Sequence, residues 1–441
     1  MAFNFQTSIF YNLQDFIISS PLYNKYYLLF KALDLSGLKD VNLGVGCTGY
    51  SRKAILRAFI IKHCEEIKSM PRLIEYLQNH PVIAELCGFN MTQRLPDESQ
   101  FYRFLKEINN SVLQDIHHSV NKKLIEQDII SLDTFIIDSK PVMAATKENN
   151  LKNPQRNTIN KFKIPKRNPA AALSYYSYQK TSADKKSFIF FWGYRTHVIV
   201  SKEGIPLIEL TLPNNMTDAK VAQRLIRKLK RVYNFKKNAI FLADKGYDEK
   251  DLYDFIVEKL KCQAFIPLNP RNTQTDKKIS INGIPVCDAE FEMKFFGTFS
   301  EQKRTRKKYR CPLLISKKFA KKHPDGCPVN HERFFTGKQY GCTKYIDVTY
   351  DARARVPRES EQFKKTYRMR TEVERYFSRL GDREVEQTTH YKMKSIKNQM
   401  TIAHLSLSLV AYAAAILLDN PDKIRCYRTF AQLSFPKQKA A

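Results

Sequence analysis

Two apolar runs each lead into an aspartate, and this constrains the fold more than any other feature of the chain. Thr134-Phe135-Ile136-Ile137 precedes Asp138, and Ala239-Ile240-Phe241-Leu242-Ala243 precedes Asp244. Short apolar runs rich in β-branched and aromatic residues read as buried strands. An acid at the end of such a strand is costly unless it is paired or binds a cation. The ordinary alternative for either residue is a turn or a helix cap. A third acid, Glu374, lies in Tyr367-Arg368-Met369-Arg370-Thr371-Glu372-Val373-Glu374-Arg375-Tyr376-Phe377, a stretch with helical character. Two strand acids and a helical glutamate suit a site where a hard divalent cation activates a nucleophile and stabilises a leaving oxygen.

The surrounding pattern divides the 441 residues. Ile55, Leu56, Phe59, Ile60 and Ile67 recur at helical spacing. Residues 71–86 and 97–125 continue in that style, with Asp97 and Gln100 as a capping-box variant. Residues 1–130 therefore read as a helical domain that either packs on the rest or recognises a ligand. From 131 to 270 the period changes. Strand runs are expected at 132–138, 187–201, 205–211, 239–243 and 263–268, with helices carrying Val221, Leu225, Ile226 and Leu229 and spanning 249–260. The segment 144–186, with Lys147, Lys152, Lys161, Lys163, Lys166 and Arg167, reads as a long basic loop. Residues 271–350 read as a β-rich insertion. Residues 351–425 return to the core, with helix 358–380 carrying Glu374 and helix 395–418 closing it. A basic tail, 426–441, follows.

Formal net charge is +30 and the pI about 9.6. That excess favours a polyanionic partner, since each phosphate neutralised releases counterions. Arg227, Lys228, Lys230 and Arg231 on one helix, with Arg224 beside them, and Arg304, Arg306, Lys307 and Lys308 in the insertion are the candidate phosphate contacts. Thr401–Leu418 is apolar but carries His404, Ser406 and Ser408, so a buried helix is expected rather than a membrane span. The N-terminus lacks the pattern of a secretory signal, and a cytoplasmic location is expected. The nine cysteines are then expected to be reduced. Cys287, Cys311, Cys327 and Cys342 all fall in the insertion. Four soft ligands suit Zn²⁺, but no Cys-x2-Cys pair is present, which favours buried apolar thiols. His197 and Trp192 read as core residues.

Tyr367, Arg370 and Glu374 are spaced three and four apart and share one helix face. Glu374 is expected to face inward. Glu372 is rotated about 200° from it and is expected on a solvated face with Arg368 and Arg375.

These segments together resemble the DDE (Asp-Asp-Glu) transposases of bacterial insertion sequences, of the IS4-like/IS1182-like group. Ile137-Asp138-Ser139-Lys140-Pro141-Val142 resembles the first acid segment and Gly193-Tyr194-Arg195-Thr196-His197 the second strand. Ala243-Asp244-Lys245-Gly246-Tyr247-Asp248 resembles the second acid segment. Tyr367, Arg370 and Glu374 match the Tyr-x2-Arg-x3-Glu signature. Gly88-Phe89, Leu95-Pro96-Asp97-Glu98-Ser99-Gln100-Phe101 and Phe104 resemble the preceding helical domain. The resemblance implies an α/β, ribonuclease-H-like (retroviral-integrase-like) core with an N-terminal helical domain and an insertion. It implies Asp138, Asp244 and Glu374 as catalytic and metal-binding residues for Mg²⁺ or Mn²⁺, with Tyr367 and Arg370 holding flanking phosphates. The implied partners are DNA (terminal inverted repeats and target) and a second copy in a homodimer on DNA, with no membrane role. The family often has a Lys seven residues after the Glu. That position is Gly381 here, and Arg379 or Arg383 are the candidates to replace it. The other functions compatible with the pattern are a domesticated or cleavage-only nuclease of the same fold and an inactive basic DNA-binding protein.

Overall fold

The computed structural model describes the chain apart from residues 1–12, 41–48, 91, 150–162, 180–185, 270–278, 281, 302–303, 330–340, 348–352, 354–355, 357, 359, 382–389, 391 and 420–441. Lys152, Lys161, Arg383 and the tail 426–441 therefore lie outside the described residues.

Among the described residues, seven helices come first: α1 (Leu13–Ser19), α2 (Pro21–Ala32), α3 (Arg52–Cys64), α4 (Met70–Asn79), α5 (Pro81–Cys87), α6 (Glu98–Glu107) and α7 (Asn110–Glu126). Their starts follow local chemistry. Ser20, Ser51 and Ser69 accept from backbone N–H groups of the first turns, and Asp97 accepts from both Ser99 and Gln100. Each such cap satisfies a donor that the helix itself leaves open.

A six-stranded sheet follows, from β1 (Thr134–Met143), β2 (Ala172–Gln179), β3 (Lys186–Ser201), β4 (Pro206–Pro213), β5 (Ile240–Ala243) and β6 (Gln263–Phe265). Its order is β2-β3-β1-β5-β6, with β4 also paired to β3. β1, β5 and β6 are parallel, and β3 runs antiparallel to β1, β2 and β4. Helix α8 (Asp218–Tyr233) joins β4 to β5, and α9 (Lys250–Asp254), extended by a π turn over Phe255–Lys259, joins β5 to β6. The segment 144–186 is not all loop. β2 lies within it, because Ala172–Gln179 pairs with the N-terminal half of the long β3.

The insertion contains β7 (Lys294–Glu301), β8 (Arg304–Arg310), α10 (Pro312–Ile315), α11 (Lys317–Lys322) and β9 (Thr343–Asp347), the strands forming one antiparallel sheet. The chain returns through α12 (Glu361–Tyr367), a 3₁₀ turn over Arg368–Arg370, α13 (Thr371–Gly381) and α14 (Met393–Tyr412). The single helix expected at 358–380 is thus interrupted.

Alternation along the strands sorts the core. Phe135, Ile137, Ile199, Phe241 and Ala243 face a cluster shared with α2–α8. Ile136, Val198, Val200, Leu242 and Phe265 face the other side, under α12, α13 and one stripe of α14. α14 has the length and apolarity of a membrane span, yet 83% of its most apolar window is buried inside the protein. Its stripes fill both clusters: Ile402, Leu405 and Leu409 in one, Ile396, Met400 and Leu407 in the other. Buried Glu209 on β4 accepts from Gln114 of α7 (2.9 Å) and Thr401 of α14 (2.6 Å). The helical segment and the sheet thus share one core rather than meeting at a wet interface.

Candidate active site

The register of the parallel strands builds the site. β1 and β5 pair from Thr134↔Ile240 to Ile137↔Ala243. The next residue on each chain is an acid, so Asp138 and Asp244 stand side by side where that pairing ends. Both have the parity of Ile136 and Leu242, so both carboxylates emerge on the face covered by α12 and α13. One expectation needs correction: Asp138 does not end its strand. β1 runs on to Met143 because β3 pairs with it as far as Met143↔Gly193. Asp244 caps the 3₁₀ turn Lys245–Tyr247 and accepts from Gly246 N at 2.8 Å. The capping role and the site role therefore coexist in one residue.

The covering helices bring Arg370 to this edge. Its guanidinium donates to Asp138 Oδ2 at 2.9 Å and to Glu374 Oε1 at 2.7 Å. Burial pushes the Asp138 carboxyl up to about 6, with Arg370 opposing the shift and Asp244 and Asp218 adding to it. Burial works against the charge on Arg370, but Asp138, Tyr367, Asp244 and Glu374 together outweigh it and hold the group above its ordinary range. Tyr367 stacks on Phe363, with ring centroids 5.4 Å apart. Burial raises its phenol to about 12, so it remains a neutral hydroxyl beside Arg370. Helix α13 is anchored from beneath by Tyr376, whose hydroxyl bonds buried His404 of α14; the other nitrogen of that ring meets Thr196 of β3 at 3.1 Å.

The two glutamates of α13 are the reverse of the expected burial. The Glu374 side chain is 60% exposed and that of Glu372 only 7%. Glu372 bonds Arg375 at 2.6 Å and lies against the β3–β4 turn. A Cβ placed on Gly204 there would come within 3.6 Å of Glu372 Oε2. The 3₁₀ turn before α13 resets the helical phase, and the β3–β4 turn covers the Glu372 side. Glu372 is nevertheless far along the sheet from the acids, because Ser201 of that turn pairs with Phe135, three residues before Asp138. Glu374 alone connects to Asp138, through Arg370.

Asp218, at the first turn of α8, is a further acid that the sequence did not disclose. Its carboxylate accepts from Ser139 Oγ at 3.3 Å and lies 3.7 Å from Arg195 Nη1 and 3.7 Å from His197 Nδ1. Arg195 also donates to Ser139 Oγ at 3.0 Å. Burial raises the Asp218 carboxyl; Arg195 opposes this and Asp244 adds to it. Gly246 sits between the acids: a Cβ there would lie 3.0 Å from Asp244 Oδ1 and 3.8 Å from Asp218 Oδ2. Ser139 and His197 pair across β1 and β3, so Asp218 supports the acid edge from the opposite face of the sheet. In sequence it reads only as an acid in a first helical turn. His197 is a buried core residue, its ring pushed down to about 3 by burial and then by Arg195. Trp192 is also core.

The donor set is made of hard carboxylate oxygens, and Asp138 is desolvated and in need of counter-charge. Both features fit a divalent cation. Among the described residues, no three His, Cys, Asp or Glu side chains converge as a cage. Arg370 stands between Asp138 and Glu374 and supplies the positive charge there.

Several candidate contacts turn out to be engaged elsewhere. Lys228 donates to Gln114 of α7 at 2.6 Å, so it ties α8 to the helical segment. Lys230 donates to Phe235 O at 3.4 Å and lies over the Phe235 ring. Arg227 and Arg231 remain exposed, with Arg227 over the ring of Phe255 at 4.9 Å. Lys307 is buried on the inner face of β8, while Arg306 and Lys308 point the other way; Arg304 lies on the same strand. Arg379 is buried and donates to Gly204 O at 2.7 Å. It therefore cannot stand in for the lysine absent at Gly381. Cys287, Cys311, Cys327 and Cys342 are buried with Ile284, Met293, Tyr309 and Leu313 in a small apolar core. Burial raises Cys311 and pushes Cys342 to about 11, and the neighbouring cysteines raise both further. Among the described residues no three of these side chains are grouped as a metal site, while the mutual influence of Cys287, Cys311, Cys327 and Cys342 puts the four thiols in one cluster.

No curated protein matches the chain in sequence. Among solved structures, the chain is similar to a piggyBac transposase synaptic complex with hairpin DNA. The identity is 10%, the match covers 93% of this chain and 79% of that one, and the TM-score is 0.38. It is also similar to the Mos1 transposase paired-end complex with left transposon end, at 15% identity, 55% and 66% coverage and a TM-score of 0.17. Likenesses this distant decide nothing about the chain. Family models are more informative. Residues 16–107 match a transposase domain (DUF772). Residues 131–409, well over half of the chain, match the transposase DDE domain and span all three acids of the expected triad. The chain belongs to the DDE transposase family of insertion sequences.

Proposed function

We propose that Asp138, Asp244 and Glu374 are the catalytic carboxylates of this transposase, carried on a ribonuclease-H-like core. The register Ile137↔Ala243 carries the reading, because it brings the two strand acids together at one edge. The sheet order supports the fold: β4-β3-β1-β5-β6, with α8 between β4 and β5, is the arrangement of such a core. The helical segment up to α7 and the insertion around β7–β9 are then additions to it.

The reaction is cutting and joining of DNA. Water attacks a phosphorus at the transposon end, the bond to the 3′ oxygen breaks, and that oxygen leaves as a hydroxyl. The freed 3′ hydroxyl then attacks a phosphorus of target DNA and displaces another 3′ oxygen. Mg²⁺ or Mn²⁺ held by Asp138, Asp244 and Glu374 would make the attacking oxygen more acidic and stabilise the leaving one. The chain's own residues do the rest. Asp138, on β1, and Asp244, held by its cap just past the end of β5, give the site a rigid floor. Glu374, exposed and on a helix, would complete the site by turning toward them, with Arg370 exchanging the Glu374 carboxylate for a DNA phosphate. Arg370 and the neutral hydroxyl of Tyr367 are then free to hold the phosphates that flank the cut. Two ends must be cut together, so we read the working unit as a homodimer on DNA. Its mass on an end-bearing duplex tests that reading.

Asp218 is assigned a positioning role, holding Ser139 and Arg195 beneath the acid edge. Asp218→Asn is expected to lower cleavage by roughly 10–100-fold, the usual effect of removing a residue that supports metal ligands. The rate should also need a higher metal concentration to saturate, while end binding is unchanged. A purely structural role would lower the melting temperature without moving the metal dependence.

The net charge of +30 makes a second expectation quantitative. Affinity for an end duplex should fall linearly in log salt, with a slope of about −0.9 for each phosphate neutralised. Arg227→Ala is expected to reduce that slope by about one contact if α8 lies on DNA. Lys228→Ala is expected to leave the slope alone and to loosen α8 from α7. An affinity nearly independent of salt would remove the phosphate-binding role of the basic surface.

A further inference from the structure

The insertion sheet has two unlike faces. Lys307 and Tyr309 of β8 are buried toward the small cysteine-containing core. Side chains alternate along a strand, so Arg306, Lys308 and Arg310 share the outer face. The register sets Tyr345 of β9 opposite Lys308, and Phe299 of β7 opposite Arg306. A register shift between Phe295 and Gly297 adds one residue to β7 and turns Phe296 onto the same face. Gly297, opposite Lys308, leaves a gap over which Phe299 leans: a Cβ there would meet that ring at 3.5 Å.

Three aromatic rings therefore surround one ammonium group in the open. Phe296, Phe299 and Tyr345 are 50%, 45% and 51% exposed. Lys308 Nζ lies 5.4, 5.7 and 5.7 Å from their centroids. Arg310 is 4.7 Å from the Phe296 centroid and Arg306 is 5.9 Å from that of Tyr345. Exposed rings interleaved with cations match the chemistry of an unpaired nucleic-acid strand, whose bases offer π faces and whose phosphates alternate with them. A duplex does not fit, since its base faces are covered by one another. A second copy of this chain would bring like charges together.

We propose that this face binds single-stranded DNA, stacking unpaired bases on Phe296, Phe299 and Tyr345 while Arg306, Lys308 and Arg310 take the phosphates. The proposal rests on the transposase reading, in which strand cutting leaves unpaired bases beside the ends.

The test is anisotropy of a labelled short oligothymidylate, and of an end duplex, with the full-length protein over a salt series. Phe296→Ala and Phe299→Ala are each expected to weaken oligothymidylate binding about 10-fold, to keep the salt slope and to leave duplex affinity within about two-fold. Lys308→Ala should reduce the single-strand slope by about 0.7. Phe299→Trp should retain binding and Phe299→Leu should not, which separates stacking from simple packing of the sheet. Equal binding by all aromatic variants would overturn the proposal. So would equal weakening on the duplex, or a change of solution mass in Phe299→Ala, which would make the face a contact between copies. Asp138→Asn should bind the oligothymidylate as the wild type does. Normal cleavage by that variant would therefore remove the catalytic reading without touching this face, and silent aromatic variants would remove the face alone.

Discussion

Asp138→Asn is expected to abolish strand cleavage, lowering it by about 10³-fold or more, the scale seen when a preorganised electrostatic group is lost. Binding to an end duplex should survive, since phosphate contacts supply most of the affinity. The same change should also stabilise the metal-free protein. Burial raises the Asp138 carboxyl to about 6 in the folded chain, against about 3.9 when unfolded. A carboxyl raised on folding contributes stability that is fully present below about pH 4 and is lost as pH rises through about 6. At pH 7 the ionised Asp138 therefore costs the fold on the order of 1–3 kcal/mol. Asn carries no charge and avoids that cost. In the presence of a chelator, Asp138→Asn should melt higher than the wild type at pH 7 and level with it at pH 4. An inactive variant with a lower melting temperature at pH 7 would point instead to a structural role for the carboxylate. Activity near that of the wild type would remove Asp138 from the site.

The strand acids were legible because a continuous apolar run that leads into a carboxylate carries its own cost. Either acid alone reads as a cap, and Asp244 is one. The pairing Ile137↔Ala243 that makes them neighbours is a long-range fact that no local pattern contains. Asp218 was hidden for the same reason. An acid in the first turn of a helix is ordinary, and only the crossing of α8 over β1 and β3 brings it to Ser139 and His197. Charge was legible in total and not in detail. Lys307 and Lys308 are neighbours in sequence, yet alternation on β8 buries one and presents the other. Lys228 lies in a basic run, but its position on α8 directs it to Gln114. β2 was missed because its sequence, Ala172-Leu173-Ser174-Tyr175-Tyr176-Ser177-Tyr178-Gln179, follows a lysine-rich stretch and forms only against the overhanging half of β3. The exposed aromatic face was missed because it depends on the bulge at Phe296.

Glu374→Gln and Glu372→Gln should differ in kind as well as in size. Glu374 is largely exposed, and its described contact is the ion pair with Arg370, itself bonded to Asp138. An exposed i,i+4 pair is worth only a few tenths of a kcal/mol. Glu374→Gln should therefore leave the melting temperature almost unchanged, while cleavage falls by about 10³-fold because the third carboxylate of the site is gone. Glu372 is buried against the Gly204 turn and bonds Arg375, with Arg379 close by on the same turn. Glu372→Gln keeps the shape but removes a charge from between two cations. The partly exposed Arg375 limits the loss, and a destabilisation of about 1–2 kcal/mol is expected. Cleavage per folded molecule should stay within a few-fold of the wild type, since the Gly204 turn sits three residues along β1 from Asp138. Thermal unfolding and single-turnover cleavage of the two variants, measured side by side, separate these effects. If Glu372→Gln were catalytically dead at full fold and Glu374→Gln active, the helix would have to present its other face to the strand acids when DNA binds, and Arg370 would no longer mark the third ligand.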